Sequence, residues 1–574
     1  MKRCPQCGRD YNDDSMSFCL DDGSELLFGP ARSSHYDEPA TAILSEPPVS
    51  AGGQLSGENS TKPFIRTSAA AEPQGSLSGP LEKQSFSAHR AAKPLLIALG
   101  LVVIVLGGYF GYRYFSQSKQ INSIAVMPFV NESGNADVEY LSDGMTESLI
   151  SSLSQLPNLT VKPRSSVFRY KGKETDPQTV GKELNVQAIL NGRVMQRGQD
   201  VSLFVELIDI SLDKVVWSET YNRKQSDLVT LQSDIARDVS SKIKTKLSGA
   251  DVAKVTKTYT TNPEAYQLYL KGNFYQTKYT EAGYKKAIEY YQQAIAVDPN
   301  YALAYQGIAA AYGFASGFYL PANEADPNAI AAAKKALELD DTLAEAHYLW
   351  GKSAFFYERN FSVAEQQWKR ANELDQSYPF AYPLYLAAIG RIGDAIAEQE
   401  NLLQRMPLDL NVNLDLIGIL LAAGKYDQAI DRARKALEID PNFWWSYQDL
   451  GLAYERKKQF PEAIAALEKA RQLDVNPSSL GYLGYVYAVA GKRAEALNVL
   501  EELKQLSKER PVSPYNIACI YAGLDDKDQA FEWLERGYKE RTFYMVLLNT
   551  ETTLDNLRGD PRFKDLIKRV GLPE

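Results

Sequence analysis

The sequence predicts a multidomain chain that is mainly α-helical: a superhelix of stacked helical repeats, preceded by a small α/β module, one transmembrane helix and a short metal-stapled knuckle. Three observations carry this. The 574 residues exceed what one core organises, since a domain takes roughly 100–200 residues. An uncharged apolar run near residue 100 separates a polar amino-terminal stretch from the rest. From about residue 262, alanine and aspartate recur at fixed spacing at the ends of helical patterns. Composition narrows the function: 63 basic against 72 acidic side chains give a net charge of -9, which argues against a surface built to neutralise phosphates. Nucleic acid is therefore not an expected partner. Three of the four cysteines fall in the first 19 residues, which excludes a disulfide-dense scaffold.

Residues 1–27 carry the knuckle. Cys4-Pro5-Gln6-Cys7-Gly8 supplies two thiolates that can wrap one tetrahedral ion, and Gly8 lets the backbone turn back toward sulfur. Phe18-Cys19-Leu20-Asp21-Asp22 supplies a third thiolate and puts Asp22 where a fourth cysteine would stand. The expected ligands are Cys4, Cys7, Cys19 and Asp22, and the expected cofactor is a structural zinc, because so small a fold has little core without a staple. The stretch resembles the short zinc-ribbon at the amino terminus of many bacterial membrane and signalling proteins, departing from its four-cysteine pattern at Asp22. Asp10, Asp13, Asp14, Asp21, Asp22 and Glu25 surround the few basic residues, so the knuckle would repel phosphate.

Residues 28–92 are rich in Ser, Ala, Gly, Pro and Glu without periodicity, the pattern of a disordered linker. Thr41, behind Asp37 and Glu38, is an accessible hydroxyl for a kinase, although a solvated linker threonine is the plainer reading. Residues 94–115 are expected to span a membrane: no charge occurs from Pro94 to Tyr112, and a helix of that length rises roughly 28 Å. Tyr109, Tyr112, Tyr114 and Phe115 supply an interfacial aromatic belt. Gly107 and Gly111 form one G-x-x-x-G, a contact through which two copies could dimerise. Lys83, Arg90 and Lys93 precede the span and Arg113 and Lys119 follow it. With the reduced thiols, they point to a cytoplasmic amino terminus and a periplasmic repeat array at the bacterial inner membrane.

Residues 121–248 form the α/β module. Ser123 to Phe129 reads as a buried strand, a helix starts near Ser142, and Ile189–Met195, Val201–Ile210 and Val215–Ser218 read as an antiparallel meander. Leu228, Leu231, Ile235, Val239, Ile243 and Leu247 make one apolar stripe on a final helix. Asp143, near a helix start, is expected to cap free amides, rather than to form a polar site with Gly144, Asn131 and Glu132. Ile124-Ala125-Val126-Met127-Pro128-Phe129, Tyr140-Leu141-Ser142-Asp143-Gly144-Met145, Leu190-Asn191-Gly192-Arg193-Val194 and Val216-Trp217-Ser218-Glu219 resemble the TolB amino-terminal-like module. That resemblance implies ligand or protein binding without a shared chemistry.

From 262 to 540 the period is decisive. Ala294 and Asp298, Ala336 and Asp340, Ala371 and Asp375, Ala436 and Asp440, and Ala470 and Asp474 share one spacing, and the last two aspartates lie 34 residues apart. With Leu450-Gly451-Leu452-Ala453-Tyr454 and Leu483-Gly484-Tyr485-Val486-Tyr487 at matching offsets, these resemble the tetratricopeptide repeat (TPR). The count is about seven hairpins, one of them irregular near 378–407, with an insertion at 317–326. Residues 541–574 are expected to form a helical cap. Such a superhelix offers a concave surface to protein partners.

Catalysis has little to work with. His35, His89 and His347 sit in the linker, beside the membrane and inside a repeat helix, and no phosphate-binding glycine fingerprint occurs. The leading expectation is a non-enzymatic, single-pass membrane-anchored TPR scaffold or sensor that binds proteins. One alternative is a signalling or transcriptional regulator using the knuckle for kinase or nucleic-acid contact. Another is an assembly factor for envelope complexes.

Overall fold

The computed structural model describes residues 2–3, 10–11, 27–28, 121–135, 138–156, 159–243, 248–375 and 381–573. It divides into a unit ending at Leu101 and a second beginning at Val102. In the first, Lys2–Arg3 (β1), Asp10–Tyr11 (β2) and Leu27–Phe28 (β3) form an antiparallel sheet in the order β2-β1-β3. Cys4, Cys7, Cys19 and Asp22, the linker, the 94–115 segment and Gly107 and Gly111 lie outside the described residues. Among the described residues, no helix is long and apolar enough to cross a membrane.

The second unit opens with a mixed sheet. Ser123–Val126 (β4), Val130–Asn131 (β5), Thr160–Val161 (β6), Ala188–Arg197 (β7), Asp200–Asp209 (β8) and Lys214–Lys224 (β9) run in the order β6-β4-β7-β8-β9, with β5 also pairing β7. The β4, β5 and β6 pairings are parallel. Ile124, Ala125 and Val126 are wholly buried, as a strand covered on both faces must be. The β7-β8-β9 meander is antiparallel, with an irregularity at Leu207/Ile208. In β8, Val201, Leu203, Val205 and Leu207 alternate into the core. Glu139–Ser154 (α1), Pro177–Leu184 (α2) and Leu228–Ile243 (α3) pack on this sheet. The α3 stripe of Leu228, Leu231, Ile235, Val239 and Ile243 is buried, while Leu247 lies outside the described residues.

The capping role expected of Asp143 is not what the structure has. Because α1 begins at Glu139 with Val138 as its cap residue, Asp143 lies inside the helix, where amides already have intrahelical partners. Its carboxylate instead accepts from Lys171 Nζ at 2.5 Å, and the same amine lies 2.6 Å from Glu139.

A short helix, Gly249–Val255 (α4), closed by a Ser248–Asp251 capping box, leads to the array. Among the described residues there are eight hairpins, against about seven expected from the sequence. They are Pro263–Gln276 with Glu281–Val297, Ala302–Ala315 with Ala322–Leu339, and Ala344–Ser353 with Phe361–Leu374. Then come Tyr382–Ala388 with Ile392–Arg405, Leu410–Ala422 with Tyr426–Ile439, and Trp444–Arg456 with Phe460–Leu473. Pro477–Val489 with Arg493–Leu506 and Pro514–Gly523 with Lys527–Lys539 complete the set. The expected insertion is shorter than its sequence suggested: the loop closes through a Ser316–Leu320 bridge, and Asp326 already belongs to the next helix.

The alanine–aspartate spacing has a local cause. Asp298, Asp340, Asp375, Asp440 and Asp474 each end a second helix in extended geometry, donating their amide to the carbonyl of the alanine four residues back. The side chains of Asp298, Asp340 and Asp440 then accept the amide two residues on, at 3.1, 3.1 and 2.9 Å, which turns the chain into the next hairpin. The alanines are fully buried, because a larger side chain would hold the two helices of a hairpin apart.

After the eighth hairpin the chain does not simply cap the stack. Phe543–Leu547 and Thr552–Leu557 are short 3₁₀ turns, and Pro561–Val570 is a last helix. Phe543 stacks on Phe356 of the third hairpin with centroids 4.1 Å apart, and Arg359 donates to the Tyr538 carbonyl at 2.9 Å.

The first helices of hairpins seven and eight approach most closely through glycine. A Cβ at Gly481 would lie 3.0 Å from the backbone Cα and O of Asn516, atoms that cannot rotate away. Gly481→Ala is expected to destabilise the fold by about 1–3 kcal/mol. Gly418→Ala, in a helix with open space around it, should be neutral or stabilising by up to about 1 kcal/mol. Chemical denaturation of the two variants checks this pair of outcomes.

Candidate functional site

The first helices of most adjacent hairpins pack on one another as well as on their own partners. They therefore form the inner face of the array, and the second helices form its outside. Asp415 and Asp449 are each the sixth residue of a first helix, in hairpins five and six, so the repeat sets them on the same side of the inner face. Asp449 is 8% exposed, and its hydrogen bond from Gln448 Nε2 is long, at 3.4 Å. Gln448 Oε1 in turn accepts from Ser478 and Ser479 of hairpin seven at 3.0 and 3.1 Å.

A third carboxyl comes from beyond the hairpins. Glu551 accepts from Tyr515 of hairpin eight at 2.8 Å, and Tyr544, stacked on Tyr515 at 4.7 Å, donates to Ser478 at 2.9 Å. Burial pushes Asp415, Asp449 and Glu551 up to about 7. The neighbouring Asp409 adds to the shift at Asp415, and Glu551 and Asp415 add to that at Asp449. For Glu551, hydrogen bonds from Tyr515 and Tyr482 offset part of the burial. The nearby Cys519 thiol is buried, and burial pushes it up to about 12, so it is a packing group and not a nucleophile.

The α/β module is fixed against this array in two places. At hairpin one, Tyr266 donates to Gln232 Oε1 at 2.9 Å, its hydroxyl oxygen lies 3.3 Å from Ser148 Oγ, and Leu270 fills the space over Gly144. At hairpin five, Asp409 caps the first helix by accepting from the amides of Asn411 and Val412 at 2.9 and 3.1 Å. Its other oxygen accepts from Ser165 of the module. The buried Lys162 of the module donates to the Arg405 carbonyl at 3.2 Å. The polar group that the sequence singled out in the module is internally balanced: Asn131 donates to Glu139 at 3.1 Å, and Lys171 serves both Glu139 and Asp143.

Of the residues the sequence nominated, the four metal ligands lie outside the described set. His347 is held inside its repeat by Gln367 at 2.6 Å and the Asp341 carbonyl at 3.1 Å. Tyr454 and Tyr487 are tied to Arg434 and Glu468 at 3.0 and 2.7 Å, as packing tyrosines are. Asp415, Asp449, Glu551 and the aromatic pair Phe543 and Tyr544 were not anticipated. The one signal available in the sequence was the shared repeat offset of Asp415 and Asp449.

Comparison with known proteins bears on both parts. The tetratricopeptide repeat family matches residues 420–481, and a second model of the same family matches 283–301 and 515–541. The helical repeats are tetratricopeptide repeats. Over residues 119–238 the matching family is the second domain of the HilA/YgeH-like transcriptional regulator, where the sequence alone had suggested a TolB amino-terminal-like module. The chain is 28% identical over 230 residues to "Putative adenylate cyclase 3" of Rhizobium meliloti, covering 39% of each. It is 26% identical over 173 residues to "TPR repeat-containing protein YpiA" of Bacillus subtilis, covering 29% of this chain and 41% of that one. The chain thus spans less than half the length of these relatives. Among solved structures, the TPR protein YrrB is similar at 20% identity and a TM-score of 0.23, over 32% of this chain and 92% of that one.

The inner-face carboxyls give the array a pH signature. Unfolded, Asp and Glu titrate near 4, whereas Asp415, Asp449 and Glu551 titrate at about 7 in the fold. Between those values the folded chain holds protons that the unfolded chain has lost, so stability is greatest at the acid end of the window and falls as pH rises through it. The melting temperature is expected to fall by several degrees between about pH 5 and about pH 7.5, and Asp449→Asn should flatten part of that slope. A melting temperature that rises over the same range would contradict the assignment.

Proposed function

We propose that this chain is a non-enzymatic, single-pass scaffold or sensor of the bacterial inner membrane that binds a protein along the inner face of its TPR array. The observation that carries the reading is that face itself. It runs through the first helices of successive hairpins, which carry Tyr348 in hairpin three and Asp415 and Asp449 in hairpins five and six. The α/β module, fixed at hairpins one and five, rides with the array, so an event at the module is transmitted to the groove as a rigid-body change. In this proposal residues 94–115 form the anchor, the amino terminus is cytoplasmic and the array periplasmic. Cys4, Cys7, Cys19 and Asp22 hold a structural zinc on the cytoplasmic side; three thiolates and one carboxylate fit that ion's preference for sulfur and a closed tetrahedron.

A second reading, a signalling or transcriptional regulator, is favoured by the match of residues 119–238 to a regulator's second domain. In that case the module, and not the groove, carries the output.

One experiment in spheroplasts separates them. A photoreactive residue at position 348 should cross-link a discrete protein partner, while one at Leu497, exposed on an outer helix, should not. Protease added outside should then digest the array. Equal cross-linking from both positions would remove the groove from the account, and a protected array would reverse the orientation and favour the regulator.

A further inference from the structure

Residues 542–557 touch more of the array than a terminal cap needs to. Phe543 stacks on Phe356 of hairpin three and lies 6.4 Å, centroid to centroid, from Phe318 in the loop of hairpin two. Phe318 also meets Trp445 of hairpin six at 6.5 Å. Tyr544 lies on Tyr515 and binds Ser478, both second residues of inner-face helices. Asn549 donates to the Ala388 carbonyl of hairpin four at 3.4 Å. Glu551 reaches Tyr515, and Arg456 of hairpin six donates to the Thr552 carbonyl at 3.2 Å. Met545, Val546 and Leu548 are fully buried between these surfaces. The segment therefore runs inside the superhelix, along the face on which a TPR array would hold a peptide.

Its hydrogen bonding is that of a guest. The backbone amides of Thr542, Met545, Thr550 and Glu551 donate to carbonyls no more than five residues away. From 543 to 551, the hydrogen bonds that cross to the array are made by the side chains of Tyr544, Asn549 and Glu551. A segment that continued the solenoid would instead pack as a helix on the preceding helix, as Pro561–Val570 does on Lys527–Lys539.

We infer that residues 542–557 are an intramolecular ligand of the concave groove, an autoinhibitory strap that lies on hairpins six to eight and reaches hairpins three and four through Phe543 and Asn549. The partner that displaces it is an extended segment of the same chemistry: an aromatic pair, an apolar run and then a carboxylate. This rests on the reading of the array as a protein-binding groove. Release of the strap exposes Ser478, Tyr482 and Tyr515 together. The strap's covalent tether makes its local concentration high, so an external segment must bind more tightly than the strap or act when the strap is weakened.

Hydrogen–deuterium exchange on the full wild-type chain tests whether the strap opens by itself. The amides of 543–557 are expected to exchange at least tenfold faster than those of 477–489 and 514–523. Protection equal to those helices would overturn the proposal, since the segment would then be part of one cooperative core. The second arm adds a labelled synthetic peptide of residues 541–557. It should bind the full-length Phe543→Ala/Tyr544→Ala variant and not the wild type, and a peptide carrying Tyr544→Ala should bind neither. Rapid exchange without peptide binding to the variant also overturns the proposal. If the double variant loses protection in 477–523, it has unfolded, and the wild-type exchange decides. Cross-links from position 348 are read on hairpin three, away from Ser478 and Tyr515, so the groove reading and the strap can fail separately.

Discussion

Contacts between hairpin three and the chain end are the constraint on which the rest of this structure depends. A TPR stack is ordinarily held by nearest neighbours alone, each hairpin covering the apolar face of the next. Here Arg359 and Tyr538, 179 residues apart, share a hydrogen bond, and the guanidinium lies 4.3 Å from the ring centroid of the same tyrosine. Arg541 returns the contact by donating to the Tyr357 carbonyl at 2.9 Å. A π-helical turn at Ala354–Glu358, ended by Arg359 in the left-handed region, aims Phe356 at Phe543. Such turns are uncommon and tend to mark functional positions. One hydrophobic cluster consequently joins buried residues from Ala354 to Leu572.

Closure explains why the interior is both polar and tightly packed. An open solenoid would leave Asp415, Asp449 and Glu551 in water at no cost. In a closed turn they are partly withdrawn from it, and each becomes a weaker acid because its charged form is the one that loses solvation. Tyrosines answer part of that need, since a phenol brings a hydrogen-bond donor on a large apolar ring. Tyr515 serves Glu551 and Tyr544 serves Ser478. The α/β module adds a second restraint by holding hairpins one and five, through Tyr266 and through the two-sided use of Asp409.

The repeats were legible in the sequence because their signals are local. The alanine that lets helices approach and the aspartate that ends the second helix lie four residues apart, and both act through the backbone. The β7-β8-β9 meander was legible for the same reason, since alternation and a tight turn are short-range. The position of Asp143 was misread because the start of α1 is set by the fold and not by a strong capping residue at Val138. Closure left no trace that sequence reasoning could use: Phe356 and Phe543 each look like ordinary core residues, and their pairing depends on curvature accumulated over five hairpins. The inner-face carboxyls were hidden among many solvated ones, and only Asp415 and Asp449 shared a repeat offset.

The most direct test of closure is a double-mutant cycle on Phe356 and Phe543, each replaced by alanine singly and together, with unfolding free energies measured in denaturant. Stacked aromatic pairs couple by about 0.5–1.5 kcal/mol beyond the burial each loses alone. A coupling in that range between two residues so far apart in sequence is the result the account predicts. Strict additivity of the two substitutions would contradict it, because hairpin three and the chain end would then not touch in solution.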